Sequence, residues 1–341
     1  MQGRVYILLL NWNGWRDTIE CLESVFRLDY PDYRVVVCDN ASEDDSIACI
    51  KDWAQGHLDA EVGVDNPLRG LSNPPVPKPI PWVEYDRAQA EAGGDDSSVR
   101  LVLIHTGANL GFAGGNNVGF RYALTRGDFE YVWLLNNDTV VAPDALSSLV
   151  KRVSGERGVG MCGSMLLIYG DPGKVQAYGG ARYNKWLGTA TQIGSRQSAE
   201  VNVDIEEVEH QLDYVVGASL LASRSFIDDI GLLCEDYFLY YEELDWAMRA
   251  RGKYRLAYAH NSIVYHKQGR STGTGHKTRD YNWLSDCYLF RNRLRLTHRF
   301  FPWALPTSFL GVLFALGGRV YRRQWRGLEA IAKASIGCRL P

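Results

Sequence analysis

"YVWLLNNDTVVAPDAL", residues 131–146, decides the fold. Tyr131 to Asn136 form a short, mostly apolar run of the length a buried strand needs, and it stops abruptly at Asn136, Asn137 and Asp138 ahead of a Pro143-Asp144 turn. Three upstream stretches share the pattern: "VYILLLNWN" (5–13), "YRVVVCDNAS" (33–42) and "LVLIHTGANLG" (101–111). Helical periods separate them, at 16–28 with Ile19, Leu22, Val25 and Phe26 on one face, at about 44–55, and at 113–125, closed by Gly127. This alternation predicts an α/β fold: a Rossmann-like, mostly parallel, doubly wound sheet with helices on both faces. Such sheets take ligands in the crevice beyond the carboxyl ends of their strands, so the four polar endings should face one crevice.

Composition sets the outer bounds. At 341 residues, 46% hydrophobic and 23% charged, the chain has material for one large α/β domain with appendages or for two domains. A net charge of -3 argues against a nucleic-acid partner. Seven cysteines, an odd number with no C-x-x-C pair, form neither a disulfide framework nor a zinc pattern, which points to a reducing compartment. The N-terminal apolar run is too short for a signal-peptide core, so cytosolic residence is expected. Residues 59–98 break the rhythm. They hold six of the twelve prolines, all between Pro67 and Pro81, then "EAGGDDSS", and are predicted to be an insertion without apolar period, disordered or docked as a flap.

The candidate chemistry lies at the strand ends. A lone Asp there caps turns more often than not, but Asp138 is accompanied by Asp39 in "CDNAS" and by "NLGFAGGNNVG" at a helix start. The Gly-Gly pair permits close backbone approach to an anion, or equally close helix–strand packing. Further on, "FLYYEELDWAMRARG" places Glu242, Glu243 and Asp245 at a helix start, with Arg249 at ion-pair spacing from Asp245. An acid-rich helix N-terminus favoured by the dipole is the alternative, although Tyr237, Phe238, Tyr240 and Tyr241 suggest an enclosed pocket or core edge. His266 follows a short apolar strand, a position commonly structural.

The C-terminal region, 276–341, reads as a helical extension to a domain of residues 1–275. From Cys287 through Leu328 there is no acid but eight arginines, at 291, 293, 295, 299, 319, 322, 323 and 326. Between the two arginine groups lie 19 uncharged residues, Phe300 to Gly318, weakened as a span by Pro302, Pro306, Thr307 and Ser308. An interfacial or re-entrant segment with arginines on anionic headgroups is expected; a packed apolar helix pair is the alternative.

Six blocks carry a resemblance: "LNWNGWRDTIECLESV", "VVVCDNASEDDS", "NLGFAGGNNVGFRYAL", "LLNNDTVVAPDAL", "VVGASLLASRSFIDDIGLLCEDYFLYYEELDWAMRARG" and "YHKQGRST". In this order, across roughly residues 5–300, they resemble glycosyltransferase family 2 of the GT-A fold, close to its rhamnosyltransferase-like branch, with 59–98 as the main departure. The resemblance implies an inverting transfer of a sugar, from a UDP- or dTDP-sugar to a saccharide or lipid-linked saccharide, with Mg or Mn. It implies that Asp39 accepts from the nucleobase ring N–H while Trp12 and Asn13 flank the base, and that Asn109, Gly111, Gly114, Gly115, Asn116 and Asn137 line the donor site.

Asp138 would be the carboxylate on the metal, Asn137 standing where many relatives carry an acid, and His266 would complete the shell. Glu243 occupies the general-base position, with Glu for the usual Asp, so that Glu242 could share the work beside Asp245. Gly217 and Ala218 would leave room for a sugar ring. Lipid-linked acceptors are common among relatives, which places the chain peripherally at the cytoplasmic face of a membrane. Two rival classes fare worse. A sugar-nucleotide pyrophosphorylase would need a Gly-rich, Lys/Arg-bearing loop after the first strand, which "NWNGWRD" lacks, and a non-catalytic nucleotide-sugar-binding protein would have lost Asp138, Glu243 and His266.

Overall fold

The computed structural model describes residues 3–95, 98–268 and 283–321. Strands β1 (Val5–Asn11) and β2 (Tyr33–Asp39) are buried on both faces, which is why each reads as an almost unbroken apolar run. They are joined by α1 (Trp15–Val25), and α2 (Ser46–Gln55) follows, ending at Gly56 with φ 86°. Then come β3 (Trp82–Asp86), α3 (Arg87–Glu91), β4 (Leu101–His105), α4 (Gly111–Arg126) and β5 (Tyr131–Asn136). These five strands pair in parallel in the order β3-β4-β2-β1-β5. Register aligns their ends: Asn11 lies opposite Asp39, Asp39 opposite His105, and Leu10 opposite Asn136. The polar endings therefore share one edge of the sheet, as the sequence predicts.

The second half extends the same sheet with mixed pairing. Here run β6 (Thr139–Val141), α5 (Ala145–Val153), β7 (Val159–Ile168) and β8 (Asp171–Tyr178), then the small-sheet strands β9 (Gly180–Asn184) and β10 (Thr189–Gln192). After α6 (Ile205–Gln211), β11 (Tyr214–Val215) joins that three-stranded sheet. Next are β12 (Ser219–Ser223), α7 (Arg224–Ile230), α8 (Glu242–Ala250) and β13 (Arg255–His266). β12 sits antiparallel between β5 and β7, and β13 runs parallel to β7 and antiparallel to β6. Two apolar cores lie on the two sides of the sheet. Side chains alternate along each strand, so Val5, Ile7 and Leu9 join one core and Tyr6 and Leu8 the other.

Of the two expectations for residues 59–98, disordered or docked, their placement fits the docked one, with secondary structure that the sequence reading does not include. They supply β3 at the sheet edge and α3, whose start is a capping box between Asp86 and Gln89. Ahead of β3, Val76 and Ile80 are buried in the core, and the fully buried Glu23 of α1 accepts from the Val76 amide (2.8 Å), Lys78 Nζ (2.7 Å) and Trp53 Nε1 (2.7 Å). The stretch is thus docked by a buried charge with three donors, the condition under which such a charge is tolerated.

Helices α9 (Trp283–Phe300) and α10 (Leu305–Tyr321) pack together through Cys287, Phe290 and Val312. No helix among the described residues is long and apolar enough to cross a membrane. The arginines of α9 do not match their expected role. Arg291 donates to the carbonyls of Asp236 and Tyr237, Arg295 to Asp236, and Arg299 to Asp245, while Arg293 is buried. They hold the 236–245 segment instead of reaching outward, because it offers carbonyls and an acid within their span. Arg322, Arg323 and Arg326 lie outside the described residues, as does the side chain of Arg319.

Candidate active site

At the end of β5 the chain turns sharply, Thr139 Oγ1 closing onto the Asn136 carbonyl at 2.7 Å, and enters β6. β6 pairs with β13 so that Thr139 lies opposite His266. That register brings Asp138 to His266: Oδ1 and Nε2 are 3.1 Å apart, both side chains almost wholly buried. On its other side the imidazole meets Gln176 of β8, Nδ1 donating to Oε1 at 2.9 Å, which leaves Nε2 as the nitrogen facing Asp138. Burial alone would push the Asp138 carboxyl up; the charge and hydrogen bond of His266, with Lys267 behind, more than reverse this and hold it below the usual range. Lys267 extends the ladder, its amide donating to the Asp138 carbonyl at 2.9 Å. Its ammonium lies between Asp17 (2.6 Å) and Glu20 (2.5 Å) of α1, so the floor of the site is braced by a buried ion cluster.

One carboxylate oxygen and one imidazole nitrogen suit a hard divalent ion that keeps waters and takes its other oxygens from a diphosphate. Their 3.1 Å separation also fits: neighbouring octahedral ligands at about 2.1 Å from an ion stand about 3 Å apart. Among the described residues no group of three or more His, Cys, Asp or Glu converges, so protein ligands alone would not fill a shell.

A hydrogen-bond chain ties this pair to the other strand ends. Asn137 Nδ2 donates to Thr18 Oγ1 (2.9 Å), Thr18 donates to Asn11 Oδ1 (2.8 Å), and Asn11 Nδ2 donates to Asp39 Oδ1 (2.8 Å). Asp39 also accepts from the Ser42 hydroxyl (2.6 Å) and amide (3.1 Å). Its carboxylate is fixed at the strand end opposite Asn11, the residue before Trp12, which is 42% exposed.

The amides of Asn13, Asn109 and Asn116, expected at the donor site, each bond protein through one end. Asn13 Oδ1 accepts from the Glu43 and Asp44 amides, Asn109 Oδ1 from Asn40 Nδ2 and the Gly111 amide, and Asn116 Nδ2 donates to Phe112. The glycines resolve the same way. A Cβ on Gly111 would lie 2.3 Å from the Phe238 carbonyl, one on Gly114 2.7 Å from Leu110 Cβ, and one on Gly115 2.4 Å from Leu10 Cδ1. Of the two alternatives the sequence leaves open, close packing is the one these contacts fit, since α4 is pressed onto β1 and the 236–241 loop.

Glu243 meets the same region from α8. Its Oε1 accepts from the Gly217 amide at 3.1 Å, while the next residue's carbonyl, Ala218, accepts from the Asn136 amide at 3.1 Å. A Cβ on Gly217 would lie 2.2 Å from Glu243 Oε1, so the space expected for a sugar ring at this position is filled by the glutamate itself. Glu242 is 2% exposed and its Oε2 has no hydrogen-bond partner. Burial, then the neighbouring Glu243 charge, raise its carboxyl well above the usual range, and burial raises Glu243 as well. Asp245 stands apart from the pair. Fully buried, it is held by Arg249 (2.8 Å), Arg299 (2.6 Å) and the Tyr237 hydroxyl (3.1 Å), an arrangement that fastens α8 to its neighbours and leaves little carboxylate for a substrate.

Sequence inspection missed Gln176 and Asn292. Gln176 sits inward on β8 in "KVQAY", where only the pairing of distant strands reveals that it faces His266. Asn292, hidden in the arginine tract, donates to the carbonyls of Tyr237 (2.8 Å), Leu239 (2.7 Å) and Tyr240 (3.0 Å).

Comparison with known proteins supplies the remaining context. Residues 6–66 and 86–200, just over half of the chain, match the family described as Glycosyl transferase family 2. The chain is 27% identical over 151 residues to the low-salt glycan biosynthesis hexosyltransferase Agl10 of Haloferax volcanii, a match that takes in 43% of this chain and 45% of that protein. Among solved structures it is similar to the mannosyltransferase PcManGT from Pyrobaculum calidifontis in complex with GDP-Man and Mn2+, with TM-score 0.53 and 15% identity, covering 98% of this chain and 87% of the other. GalNAc-T7 with UDP, GalNAc and Mn2+ gives TM-score 0.55 and 12% identity over 86% of this chain and 47% of the other. At these identities the structural likeness speaks for the fold, and the fold is GT-A.

Proposed function

The chain belongs to glycosyl transferase family 2, and from that premise we propose that it is an inverting glycosyltransferase. It moves a sugar from a UDP- or dTDP-sugar to a saccharide or lipid-linked saccharide at the cytoplasmic face of a membrane. The motif order makes rhamnose the first sugar to test. What supports this reading most is one observation: Asp138 and His266 converge at the end of β5, on the same sheet edge as Asp39 and within two residues of the loop that bonds Glu243.

Asp39 presents a fixed acceptor to the ring N–H of a pyrimidine, and Trp12 offers a ring for stacking. Asp138 and His266 would hold a Mg or Mn ion, which when bound supplies positive charge against the departing diphosphate. Glu243 takes the proton from the acceptor hydroxyl as it attacks on the face opposite the leaving group. Burial and the neighbouring charge of Glu243 favour the protonated form of Glu242 beside it.

The test is a panel of UDP- and dTDP-sugars with Mn or Mg, read by release of nucleoside diphosphate from wild type and Asp138→Ala. Release is expected from wild type with at least one donor and from the variant with none. Undiminished turnover by the variant refutes the assignment of Asp138.

A further inference from the structure

All but Trp12, Val64 and Val201 of the large apolar side chains left exposed among the described residues lie in two segments far apart in sequence, the β9–β10 hairpin tip and the 303–321 stretch. The fold joins them. The Trp186 and Trp303 rings meet edge to face at 4.6 Å, Thr307 Oγ1 donates to the Trp186 carbonyl at 2.7 Å, and Lys185 lies over the Trp303 ring at 5.4 Å. Gly188 seats the tip: a Cβ there would lie 2.5 Å from Arg293 Cγ, so only glycine lets the hairpin close onto α9. Beside the tryptophans, Leu310, Leu313 and Phe314 stand on the face of α10 turned away from α9, Phe314 at 81% exposure.

We propose that the hairpin tip and α10 together form a docking face for an anionic lipid surface. Three observations favour lipid over a protein partner. First, α10 is apolar almost all round, with one charged residue between Leu305 and Tyr321, yet no described residue covers its outer face; such a helix needs an apolar medium. Second, among the described residues α10 is not long and apolar enough to cross a membrane, and its exposed Leu310, Leu313 and Phe314 share one face, the disposition of a helix lying along a surface. Third, neither segment carries an acid, and the hairpin exposes Lys174, Arg182, Lys185 and Arg196, its only charged residues between 172 and 199. A one-signed rim around exposed tryptophans is complementary to a negatively charged headgroup layer and repels a basic one.

The face is wired to the catalytic side. Aromatic rings step inward from Trp303 to Phe301 (6.1 Å), Tyr183 (5.9 Å) and Tyr241 (6.4 Å), and the Tyr241 hydroxyl donates to the Gly188 carbonyl at 2.7 Å. Tyr241 directly precedes Glu242 and Glu243, so a sugar carried on a lipid at this face is delivered to the glutamate pair. That consequence rests on the transferase reading; binding of the face to lipid does not.

The experiment is co-sedimentation of the full chain with vesicles of equimolar phosphatidylglycerol and phosphatidylcholine, or of phosphatidylcholine alone. It is run alongside the Leu187→Glu/Phe314→Glu double variant and Lys185→Glu. Wild type is expected to bind the anionic vesicles, with tryptophan emission quenched by brominated acyl chains. The double variant should bind at least about tenfold more weakly, the factor for losing one well-buried apolar side chain. Lys185→Glu should weaken binding to the anionic vesicles selectively. Donor turnover by the double variant should match wild type, which separates failure of this face from failure of the transferase assignment. The proposal is overturned if wild type stays in the supernatant, if the double variant binds as well as wild type, or if the face instead mediates a dimer that the double variant dissolves.

Discussion

His266 faces Asp138 across 3.1 Å while Gln176 holds the far side of its imidazole at 2.9 Å. The amide oxygen of Gln176 keeps the proton on Nδ1 and so leaves Nε2 free to act as a donor toward an ion. Gln176→Ala is therefore expected to weaken Mn binding about 10- to 100-fold without touching a ligand atom. Titration calorimetry with Mn in the presence of UDP reads this directly, and removal of the metal with a chelator should abolish donor turnover in wild type. Equal affinities in wild type and variant would show that His266 needs no orienting partner.

Glu242 and Glu243 make the pH dependence predictable in sign. The base must be ionised to act, and burial raises it, so kcat/KM should rise with pH along a limb above the ordinary glutamate value of about 4.3. Glu243→Gln should lose transfer by roughly 10²–10⁴-fold with donor binding kept. Retained transfer would move the role to Glu242.

Stability follows the same groups. Glu242 keeps in the native state a proton that the unfolded chain has already released, so native protein binds more protons between the unfolded and native pKa values. Stability from this group is thus full below the unfolded value and falls as pH rises through the native one, by at most about 1.4 kcal/mol per pH unit per proton. Glu242→Gln removes the loss. Urea unfolding should find the variant gaining on wild type at about pH 8 and level with it at about pH 4. A gain of the same size at both would show that the native proton is not involved.

How far these features could be read in advance depends on whether they are local. The endings at Asp39 and Asp138 were legible because strands buried on both faces print as apolar runs that stop dead. β3 was not, because a five-residue edge strand with exposed Glu84 and Asp86 has no such run and is preceded by prolines. Gly217 looked like room for a sugar ring and Gly111 like part of the donor-site lining, since a glycine in sequence does not say which neighbour fills its space; here Glu243 and Phe238 do. The arginines of α9 suggested headgroups for the same reason. Their true partners, the carbonyls of Asp236 and Tyr237 and the carboxylate of Asp245, are some fifty residues upstream, beyond any periodic signal.

Those partners lead to Asn292, which governs the loop that delivers the glutamates. Phe238, Tyr240 and Tyr241 all have positive φ, at 64°, 69° and 77°, a conformation that non-glycine residues hold only when their surroundings impose it. What imposes it is the buried amide of Asn292, which donates to Tyr237, Leu239 and Tyr240 at once. Asn292→Ala would remove the amide that spans those carbonyls, leaving Arg291 on Tyr237 alone, and free the loop to relax, displacing Glu243 by a fraction of its reach. A shift of about 1 Å at a reacting group costs on the order of 10²-fold, so kcat should fall by that factor while KM for the donor, proposed to bind at the far strand ends, stays near wild type. General destabilisation is distinguished by Val312→Ala, which loosens the α9–α10 contact away from the loop and should lower Tm with kcat intact. If Asn292→Ala instead loses stability and keeps kcat, the amide is only a brace, and the strained turn before α8 holds its shape without it.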